Sequence, residues 1–229
     1  NYPLIFAEKE IMGFEVKYHI DLPEVISVHG GVASNSVIEK CVAVIKADFG
    51  FINFLKDRKV DFDFVDNGET MEVIFHGKAA HGSIPWEGDN AGMHCLSNLG
   101  LYYRNDALSL MAQYYTPTRG EGIHANAYSE EMGDNSLNVG LIDMENGDMT
   151  IVVNFRFTNA VTREQMVNAI VNNSKPFEIE IGGFSPLLYY PKDSVLVSTL
   201  LNAYREETGD FDTPPLTTGG GTYAKEADN

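Results

Sequence analysis

The sequence has few cysteines, little positive charge and no long apolar run. Its 229 residues include two cysteines, too few for a framework of disulfides. Lys and Arg number 16 against 33 Asp and Glu, which gives a formal net charge of −17 and not the basic surface that nucleic acid and anionic membranes bind. No apolar run reaches the roughly 20 residues of a membrane-spanning helix, and no signal peptide is visible. We therefore expect a cytoplasmic protein without nucleic-acid or membrane partners.

The composition is that of a globular protein. Hydrophobic residues make up 44% of the chain and charged residues 21%, so enough apolar side chain is present to bury a core. A length of 229 residues suits one large domain or two small ones. The sequence begins at Asn1 rather than at Met, and it stops at Asn229 shortly after a glycine-rich turn. We therefore expect both ends to lie inside a longer protein.

Hydrophobic periodicity predicts groups of strands that alternate with helices. Strands are expected at residues 16–20, 25–28, 62–65, 71–75, 136–142, 149–157 and 177–181. Helices are expected at residues 36–55, at 90–115 in two segments, at 162–172 and at 194–207, with Ser36 and Thr162 as N-caps. The pairs Asn67-Gly68 and Asn146-Gly147 indicate hairpin turns.

This order of elements indicates an α+β fold. From residue 71 to residue 181 the order is βαββαβ, which is typical of a ferredoxin-like unit. The residues before it give ββαβ, about half of a second such unit. Two related units side by side would form one extended antiparallel sheet with helices on one face.

The first candidate site is a loop that follows a predicted strand and precedes a predicted helix. It has the sequence Gly77-Lys78-Ala79-Ala80-His81-Gly82-Ser83-Ile84-Pro85. A His between small residues on such a turn is accessible, and its imidazole can donate a hydrogen bond to an oxyanion or act as an acid or base. The alternative is that His81 only caps the helix that follows.

The second candidate is the run Gly219-Gly220-Gly221 after the last predicted helix. Three glycines allow successive backbone N–H groups to point at one carboxylate or phosphate. The run lacks the Lys-Ser/Thr ending of a P-loop, which argues against nucleotide binding. A plain flexible turn is the alternative.

Two polar residues complete the set of candidates. Arg156 lies inside an apolar strand, where an unpaired guanidinium is costly, so it needs a carboxylate from the protein or from a ligand. Asn35 precedes a predicted helix and could either cap that helix or turn its amide toward a ligand.

Two further patterns look like metal or catalytic motifs but are better explained otherwise. His19-Ile20-Asp21 has the spacing of an H-x-D metal motif, but no second cluster of carboxylates is near it in the sequence. The pair Glu130-Glu131 lies in a polar turn, where a solvated charge pair is the usual meaning.

These segments together resemble the M20 family of metallopeptidases, and within it the PepV-like dipeptidases. The resemblance is carried by residues 77–85 with Gly88-Asp89-Asn90-Ala91, by Leu137-Asn138-Val139-Gly140, by Arg156 and by residues 217–223. Residues 2–9, Tyr2-Pro3-Leu4-Ile5-Phe6-Ala7-Glu8-Lys9, are similar to the family segment that follows a metal-binding Asp. The order and spacing of these segments match over nearly the whole chain.

The resemblance implies a zinc-dependent dipeptidase whose catalytic domain, with two zinc ions, is covered by a lid domain. Residues 1–11 would end the N-terminal part of the catalytic domain, and residues 12–184 would form a double ferredoxin-like lid. Residues 185–229 would begin the C-terminal part of the catalytic α/β domain. An enlarged lid of this kind implies that the parent enzyme works as a monomer.

The resemblance also implies roles for single residues. His81 is similar to the lid His that stabilises the tetrahedral oxyanion, and Asn35 to the lid Asn that reaches the substrate. Arg156 and the loop of Gly219, Gly220 and Gly221 are similar to the groups that hold the substrate carboxylate. The match at Arg156 is local, because the family has Asp-x-Arg where this chain has Asn154-Phe155-Arg156.

The family's metal ligands would lie before Asn1 and after Asn229. We therefore expect the chain alone to bind no metal and to be inactive, and we expect its uncovered apolar faces to favour self-association. The main alternative is a ferredoxin-like module that binds a small ligand or a protein without catalysis. A glycine loop outside the βαββαβ unit argues against that alternative, because a purely regulatory module has no need of it.

Overall fold

A computed structural model describes residues 4–226. Tyr2 and Pro3, which open the segment similar to the metal-site flank of the family, lie outside the described residues. The outermost parts of the first and last predicted domains, residues 1–3 and 227–229, lie outside them as well.

The described residues form thirteen strands and five α-helices. The strands are β1 (Ile5–Glu8), β2 (Glu10–His19), β3 (Val25–Gly30), β4 (Lys40–Lys46), β5 (Phe62–Asp66), β6 (Thr70–His76), β7 (Tyr128–Ser129), β8 (Gly133–Asp134), β9 (Ser136–Glu145), β10 (Asp148–Phe157), β11 (Glu178–Ser185), β12 (Leu188–Tyr189) and β13 (Leu216–Thr218). The helices are α1 (Phe49–Asp57), α2 (Ala91–Tyr103), α3 (Asp106–Tyr115), α4 (Arg163–Asn173) and α5 (Val195–Thr208). Short 3-10 helices occupy Pro85–Glu87, Glu121–Ile123 and Tyr223–Glu226.

Eight strands form one extended antiparallel sheet, as predicted, in the order β11-β2-β10-β9-β3-β4-β6-β5. The grouping predicted for residues 71–181 is wrong, because only β9 and β10 of its four strands β6, β9, β10 and β11 are neighbours in the sheet. Strand β2 lies between β10 and β11, and β3 with β4 separates β9 from β6. Strands from the start of the chain are therefore inserted between strands of the predicted unit. The order of elements along the sequence does not reveal such long-range pairing.

The predicted helix at residues 36–55 is also wrong. Residues 40–46 form strand β4, in which Cys41, Ala43 and Ile45 are buried while the side chains between them are not. This period of two matches a strand, and its β-branched residues suit one. Helix α1 begins only after Asp48, whose carboxylate accepts hydrogen bonds from the backbone N–H groups of Gly50 and Phe51.

The other predicted helices and hairpins are confirmed. The pair α2 and α3 is separated at Arg104, which has left-handed backbone, and each helix is capped by an Asn side chain. Thr162 and Gln165 make the reciprocal hydrogen bonds of a capping box at the start of α4. Both predicted Asn-Gly turns join their strands.

The core lies on one face of the large sheet, under helices α1 to α4. Alternate strand residues and the buried faces of these helices belong to one apolar cluster, which includes Phe14, Phe51, Leu96, Met111 and Ile170. The opposite face, here called the open face, carries the intervening residues of each strand, and those of β2, β4 and β6 are half-buried or exposed. Arg156 lies on this open face, because its neighbours Phe155 and Phe157 point into the core.

A second, smaller unit contains the two ends of the described chain. Strands β12, β1 and β13 form a three-stranded sheet, and Phe6, Ala7 and Val197 are in its small buried cluster. This cluster is separate from the core of the large sheet. Within residues 4–226, no helix combines the length and the apolar character needed to cross a membrane.

Candidate functional site

The loop that carries His81 is fixed to the large sheet by backbone hydrogen bonds. His81 forms an isolated antiparallel bridge with Ser36. The Gly82 N–H donates to the Asn35 carbonyl oxygen at 2.7 Å, and the Ser136 hydroxyl donates to the Gly82 carbonyl oxygen at 3.2 Å. The loop that contains Asn35 and the start of β9 therefore hold the His81 turn from two sides.

The His81 ring is exposed, and its Nδ1 is engaged by Ser83. The Ser83 hydroxyl oxygen lies 2.7 Å from His81 Nδ1, and the Ser83 backbone N–H donates to the same nitrogen at 3.3 Å. Partial burial and the nearby positive charge of Arg156 lower the pKa of His81. The ring is therefore favoured in its neutral form near pH 7.

Arg156 is buried, with 3% of its surface exposed, yet none of the ion pairs within residues 4–226 involves it. Its Nε donates to the Asn154 side-chain oxygen at 2.9 Å, and its Nη1 donates to the Gly219 carbonyl oxygen at 2.6 Å. Both acceptors are neutral, so the charge of the guanidinium is not balanced by a carboxylate in contact. Burial lowers the pKa of Arg156 for this reason, although an Arg stays protonated at any ordinary pH.

The glycine loop packs directly against the His81 turn. A Cβ atom on Gly219 would lie 2.8 Å from Ser83 Cβ, so only glycine allows this approach. The loop is tied to β1 by Glu8, a residue only 1% exposed, which accepts hydrogen bonds from the Thr222 backbone N–H at 2.8 Å and from the Thr222 hydroxyl. Lys225 also donates to the Lys9 carbonyl oxygen at 2.6 Å.

Two lysines add positive charge beside Arg156. Burial lowers the pKa of Lys9, the carboxylate of Asp134 raises it, and Arg156 lowers it further. The pKa of Lys225 is also lowered, first by burial, with Glu8 and Glu10 opposing and Arg156 adding to the effect. A buried Arg without a contacting carboxylate, with lysines and glycine backbone nearby, is a suitable environment for a carboxylate or another small anion.

The predicted residues therefore come together. His81 contacts Ser83, Ser83 packs on Gly219, and Gly219 accepts from Arg156. Gly220 and Gly221 continue the same loop. Asn35 reaches this cluster through its backbone carbonyl, and its side chain is exposed. The alternative that Asn35 caps a helix is wrong, because the next residues form β4 and the first helix starts at Phe49.

Sequence reasoning missed several residues of the cluster, namely Ser83, Asn154, Glu8, Lys9 and Lys225. Ser83 could have been suspected, because a Ser two residues after a His in a tight turn can reach its ring. The contacts of Glu8, at the end of β1, and of the next residue Lys9 reach residues more than 200 positions later in the chain, and no local pattern indicates them.

His19 and Glu131, from the two patterns that look like metal or catalytic motifs, have structural partners. His19 Nδ1 lies 2.8 Å from an oxygen of Asp148 on the neighbouring strand. Glu131 accepts a hydrogen bond from the Tyr189 hydroxyl at 2.7 Å. Across residues 4–226 no group of three or more His, Cys, Asp or Glu side chains could hold a metal ion.

Comparison with known proteins gives relatives over the full length of the chain. No protein-family model matches. A protein of Staphylococcus saprophyticus named "Putative dipeptidase" is 30% identical over 250 aligned positions, which cover 100% of this chain and 53% of the relative. Proteins with the same description from Staphylococcus epidermidis and Staphylococcus aureus are 29% and 28% identical over the same shares of each chain. The predicted resemblance to dipeptidases is confirmed by these relatives.

The chain spans about half the length of the curated relatives it matches. Among solved structures, aminoacylhistidine dipeptidase from Vibrio alginolyticus is similar with a TM-score of 0.45 and 12% identity. That similarity covers 96% of this chain and 53% of the other.

Proposed function

We propose that the chain is the lid, with adjoining parts of the catalytic domain, of a longer dipeptidase that hydrolyses dipeptides. The observation that carries this proposal is the contact series from Arg156 through Gly219 and Ser83 to His81. It places a buried cation without a contacting carboxylate and an accessible imidazole in one cluster. A dipeptide offers a matching pair of groups, a terminal carboxylate and a peptide carbonyl.

The substrate carboxylate would bind at Arg156 and the glycine loop. Two N–H groups of Arg156 already donate to neutral acceptors, and these hydrogen bonds fix the plane of the guanidinium before a ligand binds. Fixing this group in advance reduces the ordering cost of binding. The lysines Lys9 and Lys225 add attraction for an anion, and the free carboxylate would set the length of the peptide that fits.

His81 would act on the scissile carbonyl group. A neutral imidazole can donate one N–H to the carbonyl oxygen as negative charge develops there. The lowered pKa of His81 supports this role, because the ring is a neutral donor near pH 7. Asn35, next to the His81 turn, would contribute its exposed side-chain amide to the substrate.

The resemblance implies two zinc ions that activate the attacking water, but the residues described do not fit such a centre. No group of three His, Cys, Asp or Glu side chains able to hold a metal is found within residues 4–226. We therefore assign no step of the chemistry to a metal held by these residues. We propose that the metal ligands belong to other parts of the longer protein, and that this chain alone is inactive.

The large sheet would be the double lid. Its strand order divides into β11-β2-β10-β9 and β3-β4-β6-β5. Each half has the spatial strand order of a ferredoxin-like unit. In the second half, β3 takes the place of the last strand of such a unit, although it comes first in the sequence. We interpret the two halves as two such units joined edge to edge between β9 and β3. Residues 1–11 and 185–229 would then belong to the catalytic domain, in keeping with the separate small sheet.

The test is dipeptide hydrolysis by a protein of full relative length that contains this chain, compared with its His81→Ala variant. Loss of one oxyanion donor is expected to lower kcat by about 10²–10³-fold with little change in folding. A variant His94→Ala is the matched control and should keep its kcat, because the ring of His94 bonds to Asp89 and to none of the residues of the cluster. Near-normal kcat in His81→Ala would contradict the role of His81. A full-length protein that binds dipeptides but never hydrolyses them would support the non-catalytic binding module instead.

A further inference from the structure

We propose that Ser83 is a positioning residue that fixes the His81 ring in the tautomer with its proton on Nε2. The assignment of the tautomer stands on geometry alone, whereas its catalytic meaning rests on the proposed function. Two groups of Ser83, its backbone N–H and its hydroxyl, contact the same nitrogen of the ring, His81 Nδ1.

The backbone contact identifies the tautomer, and the hydroxyl of Ser83 adds a second hydrogen bond that favours it. A backbone N–H can only donate, and the Ser83 N–H points at His81 Nδ1 at 3.3 Å. Nδ1 must therefore present a lone pair, and the single proton of the neutral ring is on Nε2. The Ser83 hydroxyl, 2.7 Å from the same nitrogen, can donate to Nδ1 as well. The opposite tautomer would place an N–H of the ring against an N–H of the backbone.

Ser83 is itself held in place from three directions. The Ile84 N–H donates to the His81 carbonyl oxygen at 2.9 Å, which closes the turn around Ser83. The Gly82 N–H donates to the Asn35 carbonyl oxygen at 2.7 Å. On the remaining side Gly219 packs on Ser83 Cβ so closely that any added side chain would collide. The glycine loop thus orients His81 indirectly, because it fixes the position of the Ser83 side chain.

The tautomer determines what His81 can offer a substrate. With the proton on Nε2, the ring presents a donor on its outer nitrogen, which makes no hydrogen bond within residues 4–226. With the proton on Nδ1, the outer nitrogen would present a lone pair that repels an oxyanion. Partial burial and the nearby charge of Arg156 also disfavour the doubly protonated ring. Ser83 and Arg156 together keep a neutral N–H donor in place, and no proton has to be transferred for it to act.

Nitrogen NMR of the ¹⁵N-histidine-labelled chain tests the proposal without any need for activity. Long-range ¹H–¹⁵N spectra distinguish a protonated ring nitrogen from an unprotonated one, and a His81→Gln variant identifies the signals of His81. In the unaltered chain we expect a protonated Nε2 and an unprotonated Nδ1. Ser83→Ala should raise the share of the other tautomer by about three- to tenfold, the effect of one lost hydrogen bond, and Ser83→Thr should restore the original share.

A matched pair of glycine variants tests whether Gly219 fixes the position of the Ser83 side chain. Gly219→Ala should change the tautomer ratio in the same direction as Ser83→Ala, because the new methyl group displaces Ser83. Gly220→Ala should not, because its nearest neighbour would be Thr218 Oγ1 at an ordinary 3.5 Å. A protonated Nδ1 in the unaltered chain would overturn the proposal, and so would a tautomer ratio that none of these variants changes. Failure of dipeptide hydrolysis in the longer protein would leave these spectra unchanged, so the two proposals can fail separately.

Discussion

The guanidinium of Arg156 donates a hydrogen bond to the Gly219 carbonyl oxygen, with Nη1 and O 2.6 Å apart. This contact joins the open face of the large sheet to the loop that follows the small sheet, across 63 positions of sequence. It also orients a buried charge that no carboxylate of residues 4–226 neutralises by an ion pair. The proposed binding of a substrate carboxylate depends on this contact.

Arg156→Met should abolish most of the affinity of the chain for a dipeptide. Charge-assisted hydrogen bonds contribute about 1.5–3 kcal/mol each, so loss of one corresponds to roughly a tenfold to hundredfold weaker Kd. Isothermal titration calorimetry measures the change. Arg58→Met is the matched control, because Arg58 follows α1 and bonds to Asn98 away from the site. Equal Kd values for Arg156→Met and the unaltered chain would contradict the proposed role of Arg156.

Glu8→Ala should destabilise the chain through the glycine loop. Glu8 is buried, and its two oxygens satisfy the Thr222 backbone N–H and hydroxyl. Removing the acceptor leaves a donor unsatisfied, which costs about 1–3 kcal/mol. Urea denaturation should show this loss, whereas Glu206→Ala on the exposed side of α5 should change stability by less than about 0.5 kcal/mol. The Glu8 contacts would be energetically unimportant if the two variants had the same midpoint.

The alternation of β4 makes a prediction that distinguishes a strand from a helix at residues 40–46. Ile45→Ala should cost about 2–5 kcal/mol of stability, because Ile45 is fully buried. Val44→Ala should cost about 1 kcal/mol or less, because Val44 lies on the open face and is half-buried. Thermal unfolding of the two variants measures the difference. Equal losses would contradict the assigned register.

His29 should titrate above the ordinary range of histidine. Burial lowers its pKa, but hydrogen bonds to Glu145 and Asp143, each 2.8 Å long, outweigh burial and raise it. A raised pKa in the folded state means that the stabilising contribution is full at pH values below the unfolded pKa. That contribution is lost as the pH rises through the folded pKa.

The measurement for His29 is an NMR titration of the unaltered chain and of Asp143→Asn. The variant should bring the pKa of His29 down, because one of the two acceptors for the protonated ring becomes neutral. The stability difference between the chain and His29→Asn should shrink as pH rises from acid toward alkaline. A difference that grows over that range would have the wrong sign for this account.

Helix α5 should promote self-association of the isolated chain. Val195, Leu196 and Leu200 are 84%, 47% and 46% exposed, although all three are large and apolar. Such a patch is a common contact surface when nothing covers it. The double variant Leu196→Lys with Leu200→Lys should shift the chain toward the monomer in sedimentation velocity. The matched double variant Asn202→Lys with Glu206→Lys alters charge without removing apolar surface and should not.

Local sequence signals accounted for much of the fold. The Asn-Gly turns and the capping box at Thr162 act within a few residues, so the sequence displays them directly. The run from Ser36 to Leu55 is wrongly predicted as a helix, because its apolar residues recur at helical spacing, although Val42, Val44 and Ile45 favour a strand. Pairing of β4 with β3 and β6 decides for the strand, and that pairing is not visible in the segment itself.

The same distinction between local signals and long-range contacts applies to the candidate site. His81, Arg156 and the three glycines could be predicted, because an unusual residue in an unusual local setting marks each of them. That they meet is a property of the tertiary structure. The contact of Ser83 with Gly219 joins two residues that are 136 positions apart in the sequence, so no spacing rule could indicate it. The order of strands in the large sheet was missed for the same reason.

The most direct test of the central claim is a calorimetric titration of the chain with a dipeptide and with the same dipeptide amidated at its C-terminus. The two ligands differ only in the carboxylate that Arg156 and the glycine loop are proposed to hold. We predict that the dipeptide binds and that the amide binds at least about tenfold more weakly, since one charge-assisted hydrogen bond is worth that much. Equal binding of both ligands would contradict the account.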